Sequence, residues 1–240
     1  MKRLIPSLLD FLFPPLCHIC RSFIADAGNI HICADCRDRM PLALSPLCTV
    51  CGIPFAGAGD DHICGQCLAN PPHFDSARAH LLHQGPAREI IHAFKYSYKT
   101  HLRRPLALLA LEGLTAFITL HRPDVIIPVP LHRKRLQSRG FNQAVLLGEV
   151  FSTHLSIPMQ TGTLARIRET EPQIELSGEE RRRNVRGAFA VACPEAILNR
   201  RVLLLDDVMT TGSTVNECAK ELKNAGALSV MVVTVARTAG

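Results

Sequence analysis

The sequence predicts an α/β protein, a parallel sheet flanked by helices, preceded by a small cysteine-rich module. Three observations carry that prediction. Short apolar runs alternate with helix-period segments along residues 71–240, as buried parallel strands joined by helical crossovers do. One run, Val202–Leu205, leads into two carboxylates, a small hydroxyl-rich loop and an amphipathic helix. Before residue 70 the cysteines fall in regularly spaced pairs.

The chain has 240 residues, of which 47% are apolar, enough for two globular units. Pro71-Pro72 mark the expected boundary between a unit over 1–70 and one over 71–240. The formal charge of +6 suits an anionic ligand or nucleic acid without selecting one. With no Trp and only 2 Tyr, a single-strand stacking platform of large aromatics is disfavoured.

Met1 to Cys17 begins with Lys2 and Arg3 and carries an apolar tract, but Pro6 and Asp10 interrupt it and no small-residue cleavage site follows. It reads as a short amphipathic helix, and no run is long enough to span a membrane. A soluble, cytoplasmic protein without stable membrane insertion is expected.

Cys17, Cys20, Cys33 and Cys36 have the spacing C-x2-C-x12-C-x2-C, and Cys48, Cys51, Cys64 and Cys67 repeat it. Each C-x-x-C knuckle offers two thiolates on a tight turn, and two knuckles complete a tetrahedron. The repeat therefore predicts a double zinc ribbon with two structural Zn²⁺ sites and no open coordination position. Sequential pairing is favoured over a cross-braced one because each repeat is self-contained. Cys193 and Cys218 stand apart as small apolar residues.

Beyond the boundary, Ser76–Leu82 reads as a strand. Gly85-Pro86 opens a helix with Ile90, Ile91 and Phe94 on one face, closed by Lys95-Tyr96. Lys95 either reaches an anionic ligand or is solvated. Leu106–Leu120 reads as a buried helix. Asp124–Pro130 is a strand ended by Pro128 and Pro130, taken as central in the sheet. A basic loop follows with Arg133, Lys134, Arg135 and Arg139, before a helix that runs to Leu155. Glu169–Glu175 is polar and aperiodic, as a lid would be, and Ser177 with Glu180 forms a capping box. Arg181–Arg183 either bind phosphates or line a helix. Ala188–Ala192 reads as a returning strand and Ser229–Ala236 as the last one.

At residues 202–214 the strand Val202–Leu205 ends in Asp206 and Asp207, and Thr210, Thr211, Gly212, Ser213 and Thr214 form the loop. Val215, Cys218, Leu222 and Ala225 then share a helix face until Gly226 stops it. In open α/β sheets ligands bind beyond the carboxyl ends of strands. The loop's N–H groups, its hydroxyls and the helix N-terminus suit a phosphate. The carboxylates would repel it, so they face sugar hydroxyls or Mg²⁺. Phosphate beside a diol describes a ribose 5-phosphate.

The stretch resembles the phosphoribosyl-pyrophosphate (PRPP) signature of type I phosphoribosyltransferases, which implies a Rossmann-like type I phosphoribosyltransferase-like domain. In that family a pyrophosphate loop follows the strand that corresponds to Asp124–Pro130. The chain as a whole resembles the ComF family. The resemblance rests on the cysteine repeat, Pro128-Val-Pro130, Arg139-Gly-Phe-Asn-Gln143, the pattern Gln173/Leu176/Arg183/Asn184/Gly187-Ala-Phe, and the PRPP motif. It implies service in natural competence, meaning use of external DNA on the cytoplasmic side. PRPP with Mg²⁺ is the implied ligand, held by Asp206, Asp207 and Thr210–Thr214. Arg133, Lys134, Arg135, Arg139 and Arg183 are the candidates for pyrophosphate. Single-stranded DNA and competence or DNA-processing proteins are the other partners it suggests. Two readings stay open: phosphoribose transfer to a nitrogen nucleophile, or non-catalytic binding of PRPP and single strands. An amidotransferase-like enzyme is disfavoured, since no N-terminal cysteine nucleophile is present.

Overall fold

A computed structural model describes residues 14–25, 28–170 and 178–239. Among the described residues, two short helices lie in the cysteine-rich part, α1 (Ala34–Asp38) and α2 (Gly65–Ala69). Then come β1 (Ser76–Leu82), α3 (Gly85–Tyr96), α4 (Arg103–His121), β2 (Val125–Pro128), α5 (Arg133–Arg139) and α6 (Gln143–Leu155). The chain continues through β3 (Leu164–Arg166), α7 (Gly178–Val185), β4 (Phe189–Val191), β5 (Arg201–Met209), α8 (Ser213–Asn224) and β6 (Ser229–Arg237).

The four strands of the main sheet run parallel in the order β1-β6-β5-β2. Because strand side chains alternate, β5 feeds both faces. Leu203 and Leu205 pack with α3, α4 and α6, whereas Val202 and Leu204 pack with α8, Leu164 and Phe189. All four are fully buried, as a sheet covered on both sides requires. β3 and β4 pair antiparallel in a separate two-stranded sheet.

Both edges of the main sheet are covered. Along β1, the Ala77 N–H donates to the Val50 carbonyl (2.7 Å), Leu82 N–H to Pro41 (2.8 Å), and Ala43 N–H to His80 (2.9 Å). The cysteine-rich part thus acts as an edge guard. Gly52 makes this approach possible, since a Cβ there would lie 2.5 Å from the Ala77 carbonyl oxygen, and its φ is +69°. At the other edge, Ile126 exchanges hydrogen bonds with Pro158 and Gln160.

Three expectations need correction. The strand Asp124–Pro130 is an edge of the four-stranded order, not its centre. Asp206 and Asp207 lie inside β5, because β6 keeps pairing with it as far as Met209 and Arg237. The basic residues 133–139 form a helix rather than a loop, stopped by left-handed Gly140 (φ 77°). The amphipathic N-terminal helix, most of the lid and the capping residue Ser177 lie outside the described residues. Among the described residues, no helix is long and apolar enough to cross a membrane.

Candidate functional site

The cysteines form two four-thiol clusters, Cys17/Cys20/Cys33/Cys36 and Cys48/Cys51/Cys64/Cys67, and all sulfurs within each lie inside 4.8 Å of one another. Four Zn–S bonds of about 2.3 Å place sulfurs about 3.8 Å apart. The 3.6 Å between Cys20 and Cys33 and the 3.8 Å between Cys51 and Cys64 fit that tetrahedron. Pairing is sequential. The N–H groups of Cys64 and Cys51 donate to the Cys48 sulfur at 3.3 and 3.4 Å, which favours the thiolate that zinc needs. These are two Cys₄ zinc-binding sites, and both are closed.

The clusters attach to the sheet differently. Cys17 and Cys36 belong to the same apolar core as Leu81 and Ile90. The second cluster meets charge instead. Arg78 of β1 donates to the carbonyls of Cys48 (3.3 Å) and Thr49 (3.1 Å). Arg237 of β6, only 3% exposed, donates to the Cys51 carbonyl.

At the carboxyl ends of the strands lies a cleft of about 1030 Å³. β5 projects into it, because β2 stops pairing near Leu205 while β6 continues, so Asp206–Met209 is paired on one side only. Asp207 is buried, and Lys95 at the end of α3 reaches it with an Nζ–Oδ1 distance of 2.9 Å. Asp206 accepts the Asp207 N–H at 2.8 Å. Burial, then the neighbouring Asp207 charge, pushes the Asp206 carboxyl up to about 7, against the pull of Lys95. Once both carboxylates are ionised, a cation or a pair of hydroxyls would stabilise the second charge beside Lys95. His83, on the same wall, is held below its ordinary value by burial and by Lys95.

Gly212, in the left-handed region (φ 76°), turns the chain from β5 into α8. The Thr211 hydroxyl sits 2.8 Å from that of Ser213 and accepts the Ser213 N–H at 3.4 Å. Thr210 and Thr214 line the cleft, while Thr211, Gly212 and Ser213 shape the turn between them. Of the basic candidates, Arg135 and Arg139 border the cleft. Arg133 is exposed and outside the lining, Lys134 pairs with Glu169, and Arg183 is exposed on α7.

Several lining residues carried no clear sequence signal. Tyr96 and Tyr98, the chain's 2 tyrosines, both lie at the rim and are exposed. Arg139 stacks over Tyr96, its guanidinium carbon 5.1 Å from the ring centre. The segment Arg139–Gln143 is organised residue by residue. Phe141 packs against Phe94 at 5.8 Å, and Asn142 caps α6 by accepting the Ala144 N–H at 3.0 Å. Gln143, 2% exposed, accepts from Arg139 at 2.8 Å. Arg166, from β3, reaches the cleft with its guanidinium over the Phe189 ring.

A parallel sheet with a carboxylate pair, a hydroxyl turn and a cationic wall at its carboxyl ends, guarded by two zinc clusters, defines a phosphoribosyltransferase-like domain joined to a double zinc ribbon. Family comparison agrees. Residues 8–68 match the double zinc ribbon domain, and residues 144–239 match the phosphoribosyl transferase domain. The chain is 38% identical over 228 residues to the DNA utilization protein YhgH of Escherichia coli O157:H7, covering 94% of this chain and 98% of that one. It is 38% identical over 156 residues to Competence protein F of Haemophilus influenzae, covering 63% of this chain and 68% of the relative. The chain belongs to the competence protein F and DNA utilization protein family.

Proposed function

We propose that the cleft binds PRPP and that the protein transfers its phosphoribosyl group to a nitrogen nucleophile, with loss of pyrophosphate, in the use of external DNA. One observation carries the reading: the carboxylate pair Asp206–Asp207, with Lys95 2.9 Å from Asp207, lies one short turn from the Thr210–Thr214 loop at the mouth of β5. In this reading the loop holds the 5-phosphate through N–H and hydroxyl groups, with the N-terminus of α8 behind it. Asp206 and Asp207 orient the ribose hydroxyls and would hold Mg²⁺, which when bound supplies charge neutralisation to the pyrophosphate. Lys95 balances Asp207 until ligand arrives. Catalysis would be electrostatic, from cations preset around the departing group. The division into units over 1–70 and 71–240 belongs to the same proposal, with the zinc ribbon as the sheet's guard.

A second reading, binding of PRPP and single-stranded DNA without transfer, is favoured by the rim. Exposed Tyr96 and Tyr98 stand beside Arg88, Arg135 and Arg139, a basic and aromatic edge of the kind strands stack on. The relatives' names, which speak of DNA utilization and competence, support it equally. Pyrophosphate release from PRPP, measured with a panel of bases and amines, separates the two. Release that depends on one acceptor supports transfer. PRPP binding with no release for any acceptor supports the second reading.

A further inference from the structure

The edge guard on β1 has an open edge of its own. Residues 41–43 run antiparallel to β1, with Leu42 opposite Leu81. The Pro41 carbonyl accepts the Leu82 N–H at 2.8 Å, and the Ala43 N–H donates to the His80 carbonyl at 2.9 Å. Successive strand residues turn their backbone groups to opposite edges, so the Leu42 N–H and C=O point away from β1. Neither has a hydrogen-bond partner among the described residues. The side chains there are apolar and open, Leu42 being 41% exposed and Leu44 62%. Pro41 and Pro46 bound the stretch, which leaves it too short to recruit a sheet yet long enough to seat one extended peptide.

The surroundings select the peptide. Leu42 borders a cavity of about 450 Å³ between α1 and α4, with Arg37, Asp38, His80 and Glu112 also on its wall. Arg37 and Glu112 cancel as an ion pair at 2.7 Å. Burial holds the His80 imidazole below its ordinary value, so it stands there neutral. Asp38 remains, a carboxylate without an ion-pair partner among the described residues. Beyond Leu44, the Ser45 hydroxyl donates to Asp61 at 2.7 Å and sets a second carboxylate beside the edge, with exposed Asp60 preceding it. From 40 to 77 the sequence holds no Lys or Arg, although the whole chain carries +6. Such an edge repels a polyanion and suits a strand that is basic and partly apolar.

We propose that the edge at 42–44 seats an extended segment of a partner protein, its backbone on Leu42 and a basic side chain in the cavity beside Asp38. The backbone bonds give the segment its direction, Leu42 and Leu44 supply apolar contact, and the carboxylates select the charge. The site is independent of the PRPP reading, since none of its residues belongs to the ligand cleft.

Hydrogen exchange at single amides of the zinc-loaded full chain tests this. In the free chain the Leu42 amide should exchange fast and the Ala43 amide, bonded to His80, slowly. The probe is a blocked hexapeptide alternating Lys and Val, compared with its Glu counterpart and with oligothymidylate. At saturation the Lys peptide should slow Leu42 exchange by about tenfold, as one new backbone hydrogen bond does. Asp38→Lys, at the last position of α1 where a cation suits the helix end, should weaken the Lys peptide by about fivefold or more. Asp38→Asn, the milder change, should weaken it by about twofold or more and serves if the reversal unfolds the chain. Unchanged Leu42 exchange with the Lys peptide overturns the proposal. So does an equal effect of the Glu peptide, which would make the edge merely apolar, or of oligothymidylate, which would make it a nucleic-acid surface. A Leu42 amide already slow in the free chain means that this chain or a second copy fills the edge, and overturns it too. Unchanged affinity in the folded Asp38 variants overturns the placing of the basic side chain.

Discussion

Asp206 is held protonated by its surroundings in the folded chain, and that has a measurable consequence. Its carboxyl is pushed from 3.8 to about 7 by burial and by Asp207, so the folded protein holds a proton that the unfolded chain releases. A raised folded value contributes stability that is full below about pH 4 and is lost as pH rises to about 7. Each unit is worth about 1.36 kcal/mol, so relative to a neutral isostere Asp206 lowers stability by up to about 4 kcal/mol at pH 8 and by about 2 kcal/mol at pH 5.5, where only the unfolded chain is ionised at this residue. Asp206→Asn keeps an oxygen to accept the Asp207 N–H. The variant should be more stable than the wild type, and its advantage should grow by about 2 kcal/mol between pH 5.5 and pH 8. Urea denaturation of zinc-loaded protein at the two pH values measures this, and the same variant should lose Mg²⁺-dependent PRPP binding. A gain that is equal at both values, or a loss at pH 8, would refute the account of Asp206 as a residue kept at a cost to the fold.

Asp206→Asn combined with Asp207→Asn should leave the chain folded and reduce PRPP affinity by tenfold or more in calorimetry with Mg²⁺, whereas unchanged binding would reduce the pair to a strand ornament. Elemental analysis of protein purified without chelator should find about two zinc ions per chain, as two closed tetrathiolates require. Gly52→Ala puts a Cβ into the Ala77 carbonyl at a positive φ, and should destabilise the protein by about 2 kcal/mol or more in thermal denaturation. A change under about 0.5 kcal/mol there would show that the knuckle does not press on β1.

Much of the architecture was legible because periodicity reports burial. Ser76–Leu82 and the helix from Gly85 to Tyr96 were readable to the residue. The pairing of the zinc ligands followed from the repeat. What failed was whatever depends on neighbours. The apolar run stops at Leu205, but β5 does not, because its length is set by β6 alongside it. The edge position of β2 is a fact of spatial order, which three apolar residues followed by a proline do not encode. The helix at 133–139 was hidden by its charge, although Arg, Lys, Leu and Gln all favour helices and Gly140 supplies the stop. Tyr96 and Tyr98 are near neighbours in the sequence, but only the fold sets that stretch on the rim of the cleft. Gln143 was legible as the end of the motif Arg139-Gly-Phe-Asn-Gln143, but its burial and its place on the cleft wall are facts of the fold.

The second zinc cluster carries a debt of charge that its own ribbon does not settle. Zn²⁺ with four thiolates has a net charge of about −2. Arg78 and Arg237, whose guanidinium groups feel those thiolates, come from the first and last strands of the sheet. Arg237 immediately precedes Thr238 on the cleft wall, and its carbonyl takes the N–H of His83 on the same wall at 2.7 Å. Loss of zinc from this one cluster would leave the buried Arg237 cation, one residue from the cleft wall, without the negative charge it faces.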